Sequence, residues 1–480
     1  MRNVRDKTRH FMLSALLIFM LANCAQARDM YVRLADRPSS VTVRSDASMT
    51  LTDAANKKFD LGKSAVLTRS GSSVVAGKNS FQLPARISSA GFLGFNNRKY
   101  RGEFLLTREF VLINVVDVEL YVQGVLPAEG IASWPKEYQK AQAIISRTYG
   151  LRQSLNRSSR GYDVVDNTSD QVYKGAGAET PATNAMVKET AGEVLTYENT
   201  LAFTPFHSDS GGYTATNSHV WTSNIPYLTG VREPVAYQSP NSNWTARISA
   251  SQVQAALSKM GLNVGKVREI RVAATDAGGR STTLTFVGSG SSASAKSSLF
   301  RTHVGPNVLK STFLTGGAPM TPPAQSNPRP PSPPAPPSPP VPASNEPLTG
   351  GEETRLTYMA SDGIFTSEEL MDMLLNPEKR KGYLYVGIQR SVAALKKEPP
   401  PAPTPKPTPE VNMPNPPNMP PLRPAEVIRE ENGYFVFSGR GWGHGVGLSQ
   451  WGAMAMARDG WKAERILEYY YPGTAVKRFR

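Results

Sequence analysis

Residues 434–449 decide the fold, and they read YFVFSGRGWGHGVGLS. The first four, Tyr434 to Phe437, have the aromatic and β-branched composition of a strand. A lone strand is not stable, and the proline-rich sequence before this one offers it no neighbour. We therefore predict that the strand returns to the first sheet of the chain, so that one β-rich domain is interrupted in sequence by residues 317–432.

After this strand, glycine occupies every second position from Gly439 to Gly447. If the segment is extended, one of its faces carries no side chains, and a ligand or another chain can approach the backbone closely. A flexible glycine-rich loop is the alternative. Ser449 then predicts the cap of a helix that ends near Gly460. His444 is a candidate for either a structural hydrogen bond or a catalytic role.

Two proline-rich segments bound the interruption. Fourteen of the 29 residues from 319 to 347 are proline, as are 13 of the 26 from 399 to 424. Such sequences form extended spacers that cannot pack a core. Between them, residues from about 350 to 397 include a capping-box pattern that begins at Thr366 and precedes an apolar helical face. This segment predicts a small helical insert.

The N-terminus predicts export. Four basic residues precede a 12-residue apolar run from Phe11 to Ala22, and an A-x-A cleavage site ends at Ala27. The run is shorter than the ~20 residues of a spanning helix. We predict that residues 1–27 are a signal peptide and that the mature protein, without a transmembrane span, works in the periplasm or cell wall. A lipoprotein anchored at Cys24 is the alternative.

Charge and cysteine content limit the kinds of partner and metal site that the protein can have. The formal net charge is +15, and residues 1–27 carry a net +3, so the mature chain has 15 − 3 = +12. This charge indicates an anionic polymer, and export argues against nucleic acid. The single Cys leaves with the signal peptide, which excludes a disulfide scaffold and a Cys-ligated metal.

The rest of the sequence predicts an α+β fold that is rich in strands. Helices are expected at about 135–155, capped by Ser133, and at 249–260, capped by Ser249. Short β-rich segments separated by Gly, Asn and Ser indicate strands. They are 31–34, 41–43, 65–67, 104–106, 110–113, 270–272 and 283–286.

One carboxylate lies in the stretch 124–130, GVLPAEG. Glu129 is expected in a loop that approaches a helix N-terminus, beside a groove. Asp117 and Glu119, two residues apart on a predicted strand face, are candidate partners, because a glycosidase usually needs two carboxylates. Most glutamates in such loops are merely solvated or help to cap a helix.

A serine-rich stretch at 206–213, FHSDSGGY, contains the D-S-G-G pattern of trypsin-like proteases. That class requires a histidine upstream of the serine. The earlier histidines are His10, in the signal peptide, and the adjacent His207, so the protease reading fails. A Ser/Gly turn that offers hydroxyl and N–H groups to a sugar or to the core is the simpler interpretation.

Together, these stretches resemble the SpoIID/LytB family of bacterial cell-wall proteins. The matching segments follow the family order and cover roughly 30–316 and 433–480. They are 114–116, 121–129, 134–135, 141–143, 146–149, 170–175, 208–212, 220–221, 226–228, 441–453 and 469–473. The resemblance implies a SpoIID-like domain in two parts, 28–316 and 433–480.

The resemblance also implies a function. By this resemblance the protein would be a lytic transglycosylase that cleaves peptide-free peptidoglycan glycan strands after N-acetylmuramic acid. The alternative is a non-catalytic enhancer of a cell-wall amidase. In the first case, Glu129 would be the single catalytic carboxylate, which protonates the glycosidic oxygen and then accepts the C6 hydroxyl proton to leave a 1,6-anhydro ring. The exposed lactyl carboxylates of such strands suit a basic protein.

Eight residues on the matching motifs are candidates for lining the groove. They are Arg147, Tyr149, Gln171, Tyr173, Ser208, Ser210, Trp221 and His444. Arg147 could equally brace a helix against the sheet. Some family members place a zinc-binding Cys directly before the Gln-Val-Tyr motif, but Asp170 stands at this position here. We therefore expect no metal and no cofactor.

Overall fold

The computed structural model of the chain describes residues 28–314 except 131 and 156, residues 352 and 356, and residues 379–395 and 427–479. The predicted signal peptide, both proline-rich segments and the predicted helix after Thr366 lie outside the described residues. The chain divides into two compact units, residues 1–319 with 421–480, and residues 320–420. Helices and strands are mixed in the first unit, which confirms the α+β class.

The strands of the described residues range from two to 13 residues in length. They are β1 (Asp29–Ala35), β2 (Ser40–Thr52), β3 (Lys58–Ser70), β4 (Ser73–Ala76), β5 (Asn79–Gln82), β6 (Ala85–Ser89), β7 (Leu93–Phe95), β8 (Arg98–Tyr100), β9 (Glu103–Leu106), β10 (Leu112–Asp117), β11 (Val164–Val165), β12 (Glu193–Tyr197), β13 (Thr200–Leu201), β14 (Phe206–His207), β15 (Trp244–Ser249), β16 (Val267–Thr275), β17 (Ser281–Gly288), β18 (Ser292–Lys296), β19 (Val427–Glu431), β20 (Tyr434–Gly439), β21 (Leu448–Ser449) and β22 (Ala475–Arg478).

The α-helices lie mainly between and after these strands. They are α1 (Val118–Glu129), α2 (Lys136–Ser154), α3 (Arg157–Arg160), α4 (Pro181–Glu189), α5 (Asn217–Val220), α6 (Ala250–Lys259), α7 (Ser297–Val304), α8 (Arg380–Leu395), α9 (Gln450–Arg458) and α10 (Ala463–Tyr470). Helix α8 lies in the predicted helical insert.

Two larger sheets form the framework of the first unit. One has the order β11-β1-β10-β9-β6-β2-β3-β4-β5, in which β7 also pairs with β2, and β8 pairs with β7. The other has the order β15-β20-β19-β16-β17-β18. Between these regions, α2 packs with the C-terminal segment in one apolar core, in which Tyr138, Ile144 and Ile145 join Leu448 and Ile466.

The strand at 434–437 exists, but the predicted partner is wrong. It is part of β20, which pairs with β15 in the second sheet and not with the earliest strands. It also has a local partner, because β19 and β20 form a hairpin with Glu431 opposite Tyr434. Asn432 and Gly433, at φ 51° and 83°, make the turn. Asn-Gly between two strands is the signal that could have predicted this hairpin.

Residues on both sides of the interruption therefore share one sheet. Strand β15 precedes residue 315 and β20 follows residue 426, and the two pair from Trp244 opposite Gly439 to Ser249 opposite Tyr434. The domain limits 28–316, 317–432 and 433–480 remain predictions.

The helix predictions hold with different ends. Helix α6 begins after Ser249, whose side chain accepts a hydrogen bond from Gln252 N, and α9 begins after Ser449 in the same manner. Ser133 does not cap α2, because that helix begins at Lys136 and its cap residue is Pro135.

The prediction that the glycine-rich segment is extended is wrong. Gly441, Gly443, Gly445 and Gly447 all have positive φ, between 71° and 127°, so the segment is a loop with left-handed turns. Close approach does explain the glycines, because a Cβ on Gly447 would lie 2.0 Å from the Pro205 carbonyl oxygen. The approaching backbone belongs to this same chain.

Candidate functional site

Glu129 is the last residue of helix α1 and not part of a loop before α2. The helix replaces a predicted strand because Asp117 caps it, accepting hydrogen bonds from Glu119 N and Leu120 N. Its buried apolar residues, which include Tyr121, Val122 and Val125, recur at helical spacing. The half-buried Glu129 side chain is thus carried by a rigid element.

Two distant segments converge on Glu129. The N–H of Val172 donates to Glu129 Oε1 at 2.5 Å. Gln450 Nε2 donates to the Glu129 backbone carbonyl at 2.8 Å, so the C-terminal segment reaches the same helix end. Trp451, beside Gln450, packs edge-on to Trp134 with ring centroids 5.0 Å apart.

Burial raises the pKa of Glu129 to about 7, against the opposing effects of the Val172 hydrogen bond and the Lys174 charge. Near neutral pH the carboxyl therefore holds its proton part of the time and can release it. A carboxyl in this state can act as a general acid and, once ionised, as a general base.

The loop that holds Val172 is fastened to α1. Gln171 Oε1 accepts a hydrogen bond from Tyr121 Oη at 2.8 Å, and Lys174 N donates to the Gly124 carbonyl at 3.2 Å. The Tyr173 hydroxyl donates to Asn114 Oδ1 at 2.8 Å. Gln171 and Tyr173 are fully buried, so they support the site from behind and do not line a groove.

Hydrogen bonds from neighbouring residues hold the Asp170 carboxylate in place. Its carboxylate accepts hydrogen bonds from Tyr149 Oη and Val165 N, each at 2.8 Å, and Arg160 Nη2 lies 3.3 Å away. Within the described ranges, no group of three or more His, Cys, Asp or Glu side chains is arranged to hold a metal ion.

Arg147 is a brace. It is fully buried, binds both carboxylate oxygens of Glu119 at 2.8 and 2.7 Å and donates to the Glu193 carbonyl at 2.9 Å. It therefore connects α1 to α2 and β12, in agreement with the alternative role of a residue that braces a helix. Glu119 and the capping Asp117 are both engaged in structure, so neither is a second carboxylate for Glu129.

A row of half-buried aromatic rings joins three of the predicted groove residues. Ring centroids of Trp221 and His444 are 5.1 Å apart, those of Phe203 and Trp221 are 5.9 Å apart, and those of Tyr149 and Phe203 are 6.2 Å apart. Phe203 was missed because nothing in its sequence neighbourhood distinguishes it from a core phenylalanine. The row ends at Tyr149, whose hydroxyl binds Asp170, two residues before Val172.

His444 is held as a neutral side chain. Its Nδ1 accepts a hydrogen bond from Val446 N at 3.0 Å. Burial lowers the pKa of His444 to about 4, and the nearby Arg301 and Arg280 add to this effect. An uncharged imidazole with an engaged Nδ1 favours the structural role over the catalytic one.

Ser210 faces the interior, beside a carboxyl group that was not predicted from the sequence. Ser210 is fully buried and its hydroxyl donates to Glu233 Oε1 at 2.7 Å, as Tyr470 does to Oε2. Burial raises the pKa of Glu233 to about 7. Ser208 is half-buried and accepts a hydrogen bond from Trp451 N at its carbonyl. Glu233 lies in a loop, and its sequence context contains no signal of this burial.

With this geometry in place, the chain can be compared with known proteins. Residues 107–197, from before α1 to the end of β12, match the family model for SpoIID, stage II sporulation protein. The match includes Glu129, Arg147 and the loop around Val172. This match confirms the resemblance to the SpoIID/LytB family that the sequence motifs indicated.

Three relatives support the same conclusion. An amidase enhancer of Bacillus subtilis (strain 168) is 24% identical over 355 residues, which are 74% of this chain and 40% of the relative. Stage II sporulation protein D of the same strain is 36% identical over 155 residues, 29% of this chain and 45% of the relative. An uncharacterized protein of Brachyspira hyodysenteriae is 28% identical over 43% of this chain and 55% of the relative. The chain thus spans about half the length of the relatives it matches.

No helix among the described residues combines the length and the apolar character needed to cross a bilayer.

Proposed function

We propose that this protein is an exported lytic transglycosylase that cleaves peptide-free glycan strands of peptidoglycan, with Glu129 as its general acid and base. The observation that carries the proposal is the half-buried Glu129 carboxyl, whose pKa of about 7 suits both roles. A carboxylate in a solvated loop would keep its ordinary pKa and would have no proton to give at neutral pH.

The reaction needs one carboxyl. The Glu129 proton passes to the glycosidic oxygen that leaves C1 of N-acetylmuramic acid, and the bond between them breaks. The C6 hydroxyl oxygen of the same sugar bonds to C1, and its proton passes to the Glu129 carboxylate. The products are a free hydroxyl end and a 1,6-anhydro end, and Glu129 returns to its starting state. Val172 N–H stays bound to Oε1, so we assign the proton transfers to Oε2.

The candidate groove residues divide into two groups. Tyr149, Ser208, Trp221 and His444 are partly exposed, and with Phe203 they are the side chains that we expect to meet the strand. Arg147, Gln171, Tyr173 and Ser210 are fully buried, and we assign them to holding the site in shape.

A second function is favoured by one comparison. A relative that matches 74% of this chain is named an amidase enhancer. In this alternative the protein binds glycan and stimulates a cell-wall amidase without cutting the strand itself. The sequence alternative of a Cys24-anchored lipoprotein changes only where either activity takes place.

The deciding experiment incubates purified mature protein with peptide-free glycan strands and measures 1,6-anhydro ends by mass spectrometry. General acid–base roles contribute about 100- to 10,000-fold each, so Glu129→Gln should lose at least about 100-fold in turnover and still bind the strand. Glu137→Gln, at the start of α2, is the matched control and should cleave normally. If no form cleaves and all of them stimulate an amidase, the enhancer function replaces the proposed one.

A further inference from the structure

Trp442 lies in the glycine-rich loop but has no part in the site described above. Its side chain is 38% exposed. The chain has six tryptophans, all within the described residues, and the other five are half-buried or buried. Tryptophan is enriched at binding interfaces because it combines a large apolar ring with a polar N–H group.

The backbone beneath this ring is fixed on both sides. Trp442 N donates to the Asp209 carbonyl at 2.8 Å, and Asp209 N donates to the Trp442 carbonyl at 3.0 Å. Gly441 N donates to the Asn241 carbonyl at 2.7 Å, and Gly443 N donates to the Lys310 carbonyl at 3.0 Å. Three consecutive residues are thus tied to three other segments. Because the backbone is already ordered, a ligand that packs against this ring does not have to order the loop when it binds.

A cation accompanies the ring. Lys310 Nζ lies 5.4 Å from the centroid of the Trp442 ring and donates to Asn241 Oδ1 at 3.2 Å. No carboxylate of the described residues lies within ion-pair distance of Lys310. Its charge therefore remains available to an anion that comes beside the tryptophan.

We propose that Trp442 and Lys310 form a subsite for an anionic sugar of the glycan strand, away from the cleavage point. The apolar face of the sugar ring packs on Trp442, and the lactyl carboxylate of N-acetylmuramic acid binds Lys310 Nζ. This inference rests on the proposed function, because that function supplies the glycan strand as ligand.

The subsite is connected to Glu129 through a short series of contacts. Trp442 pairs with Asp209, the adjacent Ser208 accepts a hydrogen bond from Trp451 N, and Gln450 binds the Glu129 carbonyl. A glycan strand is a linear polymer, so a strand that reached both the subsite and the cleavage site would gain affinity from both.

The test measures binding in the Glu129→Gln background, so that the strand is not cut. Trp442→Ala should weaken binding of peptide-free glycan strands by about tenfold or more, and Trp442→Phe should restore most of the loss. The matched control is Tyr434→Ala, which removes a ring that is 39% exposed with Arg247 4.4 Å from its centroid, and it should bind normally.

Lys310→Ala tests the anionic part of the proposal. It should weaken binding of strands with lactyl carboxylates and leave binding of neutral N-acetylglucosamine oligomers unchanged. Unchanged binding by a folded Trp442→Ala protein, or equal losses for Trp442→Ala and Tyr434→Ala, would overturn the subsite. If the wild type releases no anhydro ends but Trp442→Ala still loses glycan binding, the proposed reaction fails and the subsite stands.

Discussion

At the scale of single residues, the state of Glu129 depends on how its carboxyl is solvated. A glutamate in the unfolded chain has a pKa near 4.5, and burial in the fold raises the pKa of Glu129 to about 7. The folded protein therefore binds this proton more tightly than the unfolded chain does. Its contribution to stability is present below pH 4.5 and is lost as the pH rises to about 7.

The direction of this pH dependence leads to a prediction for Glu129→Gln, whose amide side chain does not titrate. Its stability relative to the wild type should rise between pH 4.5 and 7, by at most about 3 kcal/mol, and stay constant at higher pH. Urea unfolding of both proteins at pH 4.5 and pH 8 measures the difference. Glu233 is present in both proteins, so its own raised pKa cancels. A difference that does not change with pH would show that Glu129 is solvated in the folded protein.

Arg147 leads to a second prediction at this scale. Replacing it by Met leaves the Glu119 carboxylate without its guanidinium, and breaking such a buried pair costs about 3–5 kcal/mol. Thermal or urea unfolding should show this loss. The control is Arg86→Met, which breaks an ion pair with Glu103 whose side chains are 46% and 42% exposed, and it should cost about 1 kcal/mol or less. Equal effects for the two variants would contradict the role of Arg147 as a brace.

At the scale of elements, the glycine-rich loop owes its path to close contact more than to flexibility. Its glycines face side chains and backbone of the chain itself. Gly443 lies where a Cβ would be 2.6 Å from His207 Cβ, and Gly445 where one would be 2.9 Å from Arg280 Cζ. The loop can therefore place Trp442 and His444 on a tightly packed support.

Two glycines allow a prediction that separates the cost of a steric clash from the cost of a positive φ angle. Gly447→Ala adds a Cβ at φ 71°, 2.0 Å from the Pro205 carbonyl oxygen, so it carries both the cost of a left-handed residue and a clash. Gly433→Ala has a similar φ of 83° with no atom within 4 Å, and it should cost only about 1–2 kcal/mol. Melting temperatures should therefore fall much further for Gly447→Ala. Similar losses in the two proteins would mean that the contact at Gly447 is not tight.

At the scale of the whole molecule, the second sheet is completed by residues from both sides of the interruption. Ending the chain at residue 316 removes β19 and β20, which lie between β15 and β16, and it removes Gln450 from Glu129. We expect the truncated protein to unfold or to lose cooperative melting. Replacing residues 318–424 by a flexible linker should keep the fold, because loop entropy rises only with the logarithm of length.

Circular dichroism and thermal melting of these two proteins check the expectation. A truncated protein that melts like the full chain would show that the C-terminal part is not needed for the first unit. A linker variant that fails to fold would show that the interruption contributes contacts of its own.

Much of the local structure could be predicted from the sequence. Helices α2, α6 and α9 follow from apolar residues at helical spacing and, for α6 and α9, from a capping serine, which act within a few residues of each other. Helix α1 replaces a predicted strand because Asp117 and its β-branched neighbours also suit a strand. The cap at Asp117 and the packing of Tyr121, in the helix, against Tyr173 stabilise the helix instead. The hairpin at Asn432-Gly433 also has a local sequence signal, the Asn-Gly pair between two strands.

What the sequence by itself determined is the order of motifs, the family resemblance and the choice of Glu129 as the candidate acid. Only the tertiary structure decided that Glu129 is half-buried, that Phe203 joins the aromatic row, and that Arg147 is a brace. The physical reason is distance along the chain. Capping and periodicity are properties of neighbouring residues, whereas desolvation and pairing depend on segments such as those of Glu129 and Gln450, which are 321 residues apart in sequence and in contact in the fold.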